Sequence, residues 1–496
     1  MSVRLYWNKL KPEQQDAITK LLVIPPKESF FDIKRKGWKK KFKKYSDDDG
    51  TENDGEDESK TVIFYLYDPQ TDIIRVPYKF TEKLLNYNVN NDISLYNNPF
   101  NFNGQLFENQ LKLYNDAWTY LLANKTLNFC PYTGSGKTAM AIKMSSDLSK
   151  FQNVGIILIM MTITSLLEQW YKSIKDFTDA IPYIIDKPSF NPPLCCNVFI
   201  TTPGMSKYIP ESLRSQVGVF IIDEAHTFCS ISRVEALLSF QPKYVIACTA
   251  TFEKDNEMHK MIEAITGTDR IELIPEKPFT VYRINTGCNQ EVPKNKFGDC
   301  DWNELVNMMC KDEYRNGLIL EYVKMYSSTN KILIMSLRQE HVKLLHKKTI
   351  EMGIASDFMT GNKKNYHDSN VLFGSIQKLG TGFDEAAKCP DFNGVRIDRL
   401  LLCFTIKSLP TLKQVEGRIL YRSEFPTIDC LIDDNYKAIE HFKKMEKHFL
   451  SITGTVVEVN TPKHLENQKN KVSPVGNVDT VAYKQALELK NKMVKK

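Results

Sequence analysis

Pro131-Tyr132-Thr133-Gly134-Ser135-Gly136-Lys137-Thr138 brings glycines, hydroxyls and a lysine into one short run. Glycines let backbone N–H groups come close to phosphate oxygens, and a helix beginning just behind them turns its positive end toward the same anion. In that frame Thr133, Gly134, Ser135 and Gly136 cradle the phosphates, Lys137 pairs with the β- and γ-phosphates, and Thr138 ligates Mg2+. Further along, Val219-Phe220-Ile221-Ile222 runs into Asp223-Glu224-Ala225-His226. Asp223 is then at the carboxyl end of an apolar strand, the edge at which open parallel sheets bind ligands. It is expected to hold Mg2+ through water, with Glu224 orienting and deprotonating the attacking water, because phosphoryl transfer depends on positioning and charge neutralisation. His226 is expected to reach toward a second lobe or the γ-phosphate. A glycine-rich turn without phosphate and an acidic strand end without metal are the plainer readings of each segment alone. Their order, each at a strand end, points to an ATPase with ATP and Mg2+ as ligands.

Positioning these groups requires parallel strands. From about Asn98 to Pro275 apolar runs alternate with helical patterns, predicting strands near Thr126–Cys130, Val154–Met161, Asn197–Thr201, Val217–Ile222 and Tyr244–Cys248. A second α/β unit is predicted with strands near Ile332–Ser336, Val371–Ser375, Arg399–Phe404 and Thr427–Ile432. The expected layout is an N-terminal accessory domain at 1–97, a first lobe at 98–276, a linker at 277–312, a second lobe at 313–460 and a basic tail at 461–496. Within the first segment Thr61–Tyr67, a turn at Asp68–Asp72, and Ile73–Phe80 read as a β-hairpin. Lys34–Lys44 is almost wholly basic with two aromatics, and Asp47–Glu58 almost wholly acidic. Two readings of the basic block stand: a solvated loop neutralised by its acidic neighbour, or an arm that grips phosphates and stacks on bases.

The 496-residue length suggests roughly three domains. Hydrophobic residues at 42% and charged residues at 25% supply ample material for buried cores, which excludes a wholly disordered chain. A net charge of only +6 means that any polyanion-binding surface must be local. The eleven cysteines contain no Cys-x-x-Cys pair, which argues against a zinc knuckle or a secreted disulfide framework and for reduced thiols in a cytosol-like or nuclear compartment. The amino terminus has no signal-peptide core, and the longest apolar run, near Val154–Met161, is too short to span a bilayer. A soluble protein with no membrane partner is expected. His441 with His448, and His341 with His346, lack a third ligand at metal spacing and read as solvated. Trp118 and Trp170 read as core or interface anchors.

After these segments, Cys248-Thr249-Ala250-Thr251 resembles motif III of superfamily 2 helicases, where it links ATP state to domain closure. Gln110 then matches the adenine-reading glutamine, Ser165-Leu166-Leu167-Glu168-Gln169-Trp170 motif Ia, and Thr201-Thr202-Pro203-Gly204 motif Ib. Gly380-Thr381-Gly382-Phe383-Asp384 resembles motif V and Gln414-Val415-Glu416-Gly417-Arg418 motif VI, which implies nucleotide contact for Asp384 and an arginine finger in Arg418. The strict phosphate loop has Gly where this chain has Pro131, a position that the helicase form relaxes. Together with Lys331–His341, motifs V and VI resemble the DNA helicases of large nucleocytoplasmic DNA viruses, the poxvirus transcript-release type, akin to XPB-like translocases. The resemblance covers roughly residues 98–450.

What the resemblance implies is two tandem RecA-like lobes with an added N-terminal domain, and ATP-driven movement on DNA, favoured over RNA. It further implies viral transcription termination or repair, viral transcription machinery as a partner, and a place in the virion and host cytoplasm; a non-viral chain would be nuclear or cytosolic. An RNA helicase and a non-unwinding ATPase clamp are the alternatives. A restriction-enzyme motor is a further one, though no nuclease-like cluster is evident. The family pattern Gln-x-x-Gly-Arg-x-x-Arg is broken here: Tyr421 takes the second arginine's place and Arg422 follows it. One residue is about 100° of helical rotation, so Arg418 acts alone or a distortion brings Arg422 back.

Overall fold

The computed structural model describes residues 1–24, 62–85, 98–132, 134–152, 154–228, 233–249, 259–273, 278–379, 383, 385–420, 423 and 426–460. Thr133, Ala250, Thr251, Gly380–Gly382, Asp384, Tyr421, Arg422, the basic and acidic blocks and the tail from Thr461 lie outside them. The chain divides into two compact units, residues 1–131 with 136–272, and residues 132–135 with those from 273 onward.

The first unit opens with β1 (Ser2–Tyr6), β2 (Val23–Ile24), β3 (Val62–Ile63), β4 (Leu66–Asp68) and β5 (Ile73–Pro77). β5 lies between β1 and β4, antiparallel to both. The expected hairpin is therefore present but shorter at each end. β3 pairs with β2 in a separate ribbon, and Tyr78–Leu85 is a helix. Pro77 has no N–H with which to continue a ladder, while Tyr78, Thr81 and Leu85 recur at helical spacing and are buried. These elements share a core with the lobe that follows: Val3, Leu5, Ile74 and Val76 join the cluster that holds Phe220, Phe240 and Ile265.

That lobe is a seven-stranded parallel sheet of β6 (Thr126–Cys130), β7 (Ile156–Met160), β8 (Pro182–Ile185), β9 (Val198–Thr201), β10 (Val217–Asp223), β11 (Tyr244–Cys248) and β12 (Arg270–Glu272). Their order is β12-β6-β11-β10-β7-β9-β8. Every residue of β6, β7, β9, β10 and β11 is buried, which is why they read as continuous apolar runs. The edge strands β8 and β12, one begun by Pro182 and one flanked by charges, carry no such signal. The register between β10 and β7 shifts at Val217/Val219. There Gly218 is required, because a Cβ would overlap the Val154 carbonyl.

The second unit is also a seven-stranded parallel sheet: β13 (Phe279–Asn285), β14 (Ile332–Ser336), β15 (Ser356–Met359), β16 (Val371–Ser375), β17 (Arg399–Leu402), β18 (Thr427–Ile432) and β19 (Gly454–Asn460), ordered β15-β16-β14-β17-β18-β13-β19. Each unit carries a RecA-like α/β lobe. β13 and the helix Trp302–Lys311 fall within the segment read as a linker. β13 pairs with β18 and β19, partners remote in sequence. The helix is capped by Asp301, which accepts from the Glu304 N–H at 3.1 Å, and it buries Leu305, Val306 and Met309. The flanking prolines, glycines and asparagines mask both elements.

Candidate active site

β6 ends at Cys130 and the helix Lys137–Phe151 begins across the phosphate loop, so the loop joins a central strand to a helix N-terminus. Gly136 caps that helix at φ +88°, a conformation open to glycine. A Cβ there would overlap the Gln110 side-chain amide. Gln110 is buried and its Oε1 accepts from the Phe107 N–H at 3.0 Å, so its position is set by its own helix start. The expected adenine-reading glutamine thus lies against the phosphate loop. Within the loop, Ser135 Oγ donates to the Tyr132 carbonyl at 2.6 Å, closing a turn. Gly134 is exposed at φ +88°, and Thr138 is half-buried in the first turn of the helix.

β10 delivers Asp223 and Glu224 to the same place. Lys137 Nζ lies 3.6 Å from Asp223 Oδ1 and 3.3 Å from Glu224 Oε1. Burial works against the lysine's charge, but the two carboxylates outweigh it and hold its pKa above the ordinary value. Burial pushes the Asp223 carboxyl up, opposed by Lys137 and by the hydrogen bonds it accepts. Those bonds divide its oxygens: Oδ1 accepts from the Glu224 N–H at 3.0 Å, and Oδ2 from the Trp170 indole N–H at 2.7 Å.

Glu224 has φ +50°, rare for a side chain with a Cβ. Its carbonyl accepts from the Thr227 N–H at 2.8 Å and from Thr227 Oγ1 at 2.7 Å. Thr227 Oγ1 also meets Thr162 Oγ1 at 2.7 Å, tying the turn to the segment after β7. His226, expected to reach toward the second lobe or the phosphate, bonds within the first lobe. Its Nδ1 is 2.9 Å from Thr249 Oγ1 and 3.5 Å from Glu224 Oε2.

Among the described residues no group of three or more His, Cys, Asp and Glu side chains could hold a metal ion. One carboxylate and one hydroxyl beside a phosphate cradle still fit Mg2+, which keeps several waters and relies on substrate phosphates. The glycine conformations, a cationic Lys137 and the paired carboxylates together fit a magnesium nucleoside triphosphate.

In the second unit Arg418 lies on the helix Leu409–Leu420, is 4% exposed, and donates from Nη1 to the Phe383 carbonyl at 2.7 Å. The segments resembling motifs V and VI therefore meet through Phe383 and Arg418. The histidines depart from the solvated reading. His448 is buried and bonds Glu416 Oε1 through Nε2 at 2.7 Å. His441 is buried edge-on against Trp302, with burial pushing it down to about 4. His341 is buried between Ser336 and Asn316. Trp170 is a core anchor as expected, at 1% exposure, but its bond to Asp223 had no sequence signal beyond the need of a buried indole N–H for an acceptor. Thr162 and Thr227 had none.

Residues 104–254 match the protein family described as Type III restriction enzyme, res subunit. The chain is similar to "Putative helicase 161L" of Invertebrate iridescent virus 6, at 26% identity over 384 residues covering 72% of this chain and 83% of the relative. It is also similar to "Putative helicase 055L" of Frog virus 3 (isolate Goorha), at 24% identity over 338 residues covering 66% and 73%. A solved structure with which it aligns is S. cerevisiae Dbp5 bound to RNA and ADP BeF3, at 14% identity and a TM-score of 0.49, covering 73% of this chain and 96% of that one. By its sequence relatives the chain is helicase-like. No helix among the described residues is long and apolar enough to cross a membrane.

Proposed function

We propose that this chain is an ATP-driven nucleic-acid translocase of the superfamily 2 helicase type, favouring DNA, and that it serves viral transcript release or repair. The observation that carries the ATPase reading is Lys137 between Asp223 and Glu224 at the start of a helix capped by Gly136. Lys137 and the Gly134–Gly136 backbone hold the phosphates, Gln110 reads the base, and Thr138 and Asp223 hold Mg2+, which when bound neutralises phosphate charge. Glu224 is the base for the attacking water. In the second lobe Arg418 is the proposed finger and Asp384 a nucleotide contact. The DNA preference and the transcription role rest on the motif resemblance and on the viral relatives. An RNA helicase shares the same Asp-Glu-Ala-His run, and a non-unwinding clamp shares the same ATP site.

The test is ATPase activity with DNA and with RNA side by side, together with strand displacement. Stimulation by DNA with strand separation is expected; stimulation by RNA alone, or hydrolysis without displacement, would select one of the alternatives. Lys137→Ala should weaken ATP binding and abolish turnover. Glu224→Gln should keep ATP bound and slow hydrolysis by about 10²–10⁴-fold, the usual range for lost general-base work. Wild-type turnover in Glu224→Gln at saturating nucleic acid would show that another group is the base.

A further inference from the structure

We infer that Trp170 is a positioning residue for the metal-binding carboxylate: its indole N–H holds Asp223 Oδ2, so that Oδ1 stays turned toward the phosphate loop. The inference rests on the ATP-site reading above and deepens it. Asp223 has two oxygens in different surroundings. Oδ1 accepts from the Glu224 N–H at 3.0 Å and lies 3.6 Å from Nζ of Lys137, the first residue of the helix behind the phosphate loop, whereas Oδ2 accepts the buried Trp170 indole at 2.7 Å. A carboxylate that could spin about its Cβ–Cγ bond would exchange these oxygens and lose a fixed direction for its ligand. A short bond from a buried ring opposes this, together with the Glu224 N–H on Oδ1.

Trp170 is such a ring. It is 1% exposed, and it sits mid-way along the helix Ser165–Phe177, whose Ile174 is buried beside it in sequence register. A buried indole needs an acceptor, and a backbone carbonyl would satisfy it as well. Here the acceptor is instead the charged side chain at the end of β10, itself buried. Hydrogen bonds to ionised groups are the stronger class, and groups that orient metal-binding side chains typically contribute 10–100-fold to metal affinity or activity. The bond also ties the helix Ser165–Phe177, the segment resembling motif Ia, directly to the proposed metal carboxylate. Nothing in the amphipathic pattern of that helix announces this link.

The experiment removes the N–H without removing the shape. In the full-length protein, 3-benzothienylalanine incorporated at position 170 replaces the indole N–H by sulfur in a ring of nearly the same volume; Trp170→Phe is the second variant. Mn2+ affinity is read by electron paramagnetic resonance in the presence of a non-hydrolysable ATP analogue, and binding of the analogue alone is read in EDTA. Both variants should lose about 10–100-fold in Mn2+ affinity while binding the metal-free analogue as the wild type does. Added Mg2+ should restore ATPase activity in proportion. Wild-type Mn2+ affinity in the benzothienylalanine protein would overturn the positioning role and leave Trp170 a space-filling residue. Two controls separate the readings: a wild type that binds no analogue in EDTA would overturn the ATP-site assignment, whereas wild-type and Asp223→Asn proteins that bind Mn2+ alike would show that Asp223 is not the metal carboxylate and end the role of Trp170 alone.

Discussion

At the scale of single residues, the arginines of the motif VI-like segment separate a structural role from a chemical one. Arg418 is buried and already bonded to the Phe383 carbonyl, so it contributes to the second lobe whatever it does for nucleotide. A finger acts on charge that develops in phosphoryl transfer, and its loss costs about 10³–10⁵ in rate. Arg418→Ala is therefore expected to cripple ATPase activity with nucleotide binding largely kept. Arg418→Lys, which retains a donor for the carbonyl, should recover thermal stability without recovering the rate. Arg422→Ala should produce a smaller defect, since the described helix carries Arg418 inward and Arg422 follows one residue out of the family's spacing. Turnover of all three variants at saturating ATP and nucleic acid decides it. An Arg422→Ala loss as large as that of Arg418→Ala would contradict a single finger.

At the scale of elements, the second lobe is held by buried polar joints as well as by apolar packing. Arg315, on the helix Glu313–Tyr326, is fully buried and pairs with Asp433 at the end of β18 at 2.9 Å. Thr286, beyond β13, donates to the same aspartate at 2.5 Å. Beside them His341 bridges Ser336 Oγ at 2.9 Å and Asn316 Oδ1 at 2.8 Å. Burial, with Arg315 adding to it, pushes this imidazole from its ordinary 6.5 down to about 3. Between those values the unfolded chain takes up a proton that the folded lobe refuses. The neutral histidine's contribution is thus fully present above about pH 6.5 and falls away as the pH drops toward 3, at about 1.4 kcal/mol for each unit. His341→Gln should flatten the acid side of the stability profile. Denaturant titrations of both proteins from pH 7 to 4 would check this, and parallel profiles would mean that other groups govern acid unfolding.

At the scale of the whole molecule, charge decides where a polyanion can bind. A balance of +6 spread over 496 residues provides no general attraction, so phosphate contacts must be concentrated. The densest concentration in the sequence is Lys34–Lys44, outside the described residues, next to an acidic block of similar length. Replacing its lysines with serine should flatten the salt dependence of DNA binding, because each lost phosphate contact removes about 0.9 from the log–log slope. ATPase activity without nucleic acid should hardly change. An unchanged slope would mean that the block is neutralised by its own neighbour and contributes no contact.

Much of this protein was legible in its sequence because parallel strands buried on both faces must be continuously apolar. β6, β11, β14, β16 and β18 stand at the residues their hydrophobic runs indicate, and the phosphate loop and Asp223-Glu224 follow the strands that aim them. Elements whose partners are remote in sequence were not legible. β13 reads as linker until β18 and β19 flank it, Tyr78–Phe80 reads as strand until Pro77 ends the ladder, and His441 and His448 read as solvated until Trp302 and Glu416 cover them. Likewise the sequence identifies Asp223 as a carboxylate at a strand end, but that one of its oxygens meets the indole of Trp170, on the helix Ser165–Phe177, is decided by the fold. Local chemistry and periodicity are written along the chain, whereas a side chain's direction is settled by contacts that only the folded lobe brings within hydrogen-bond reach.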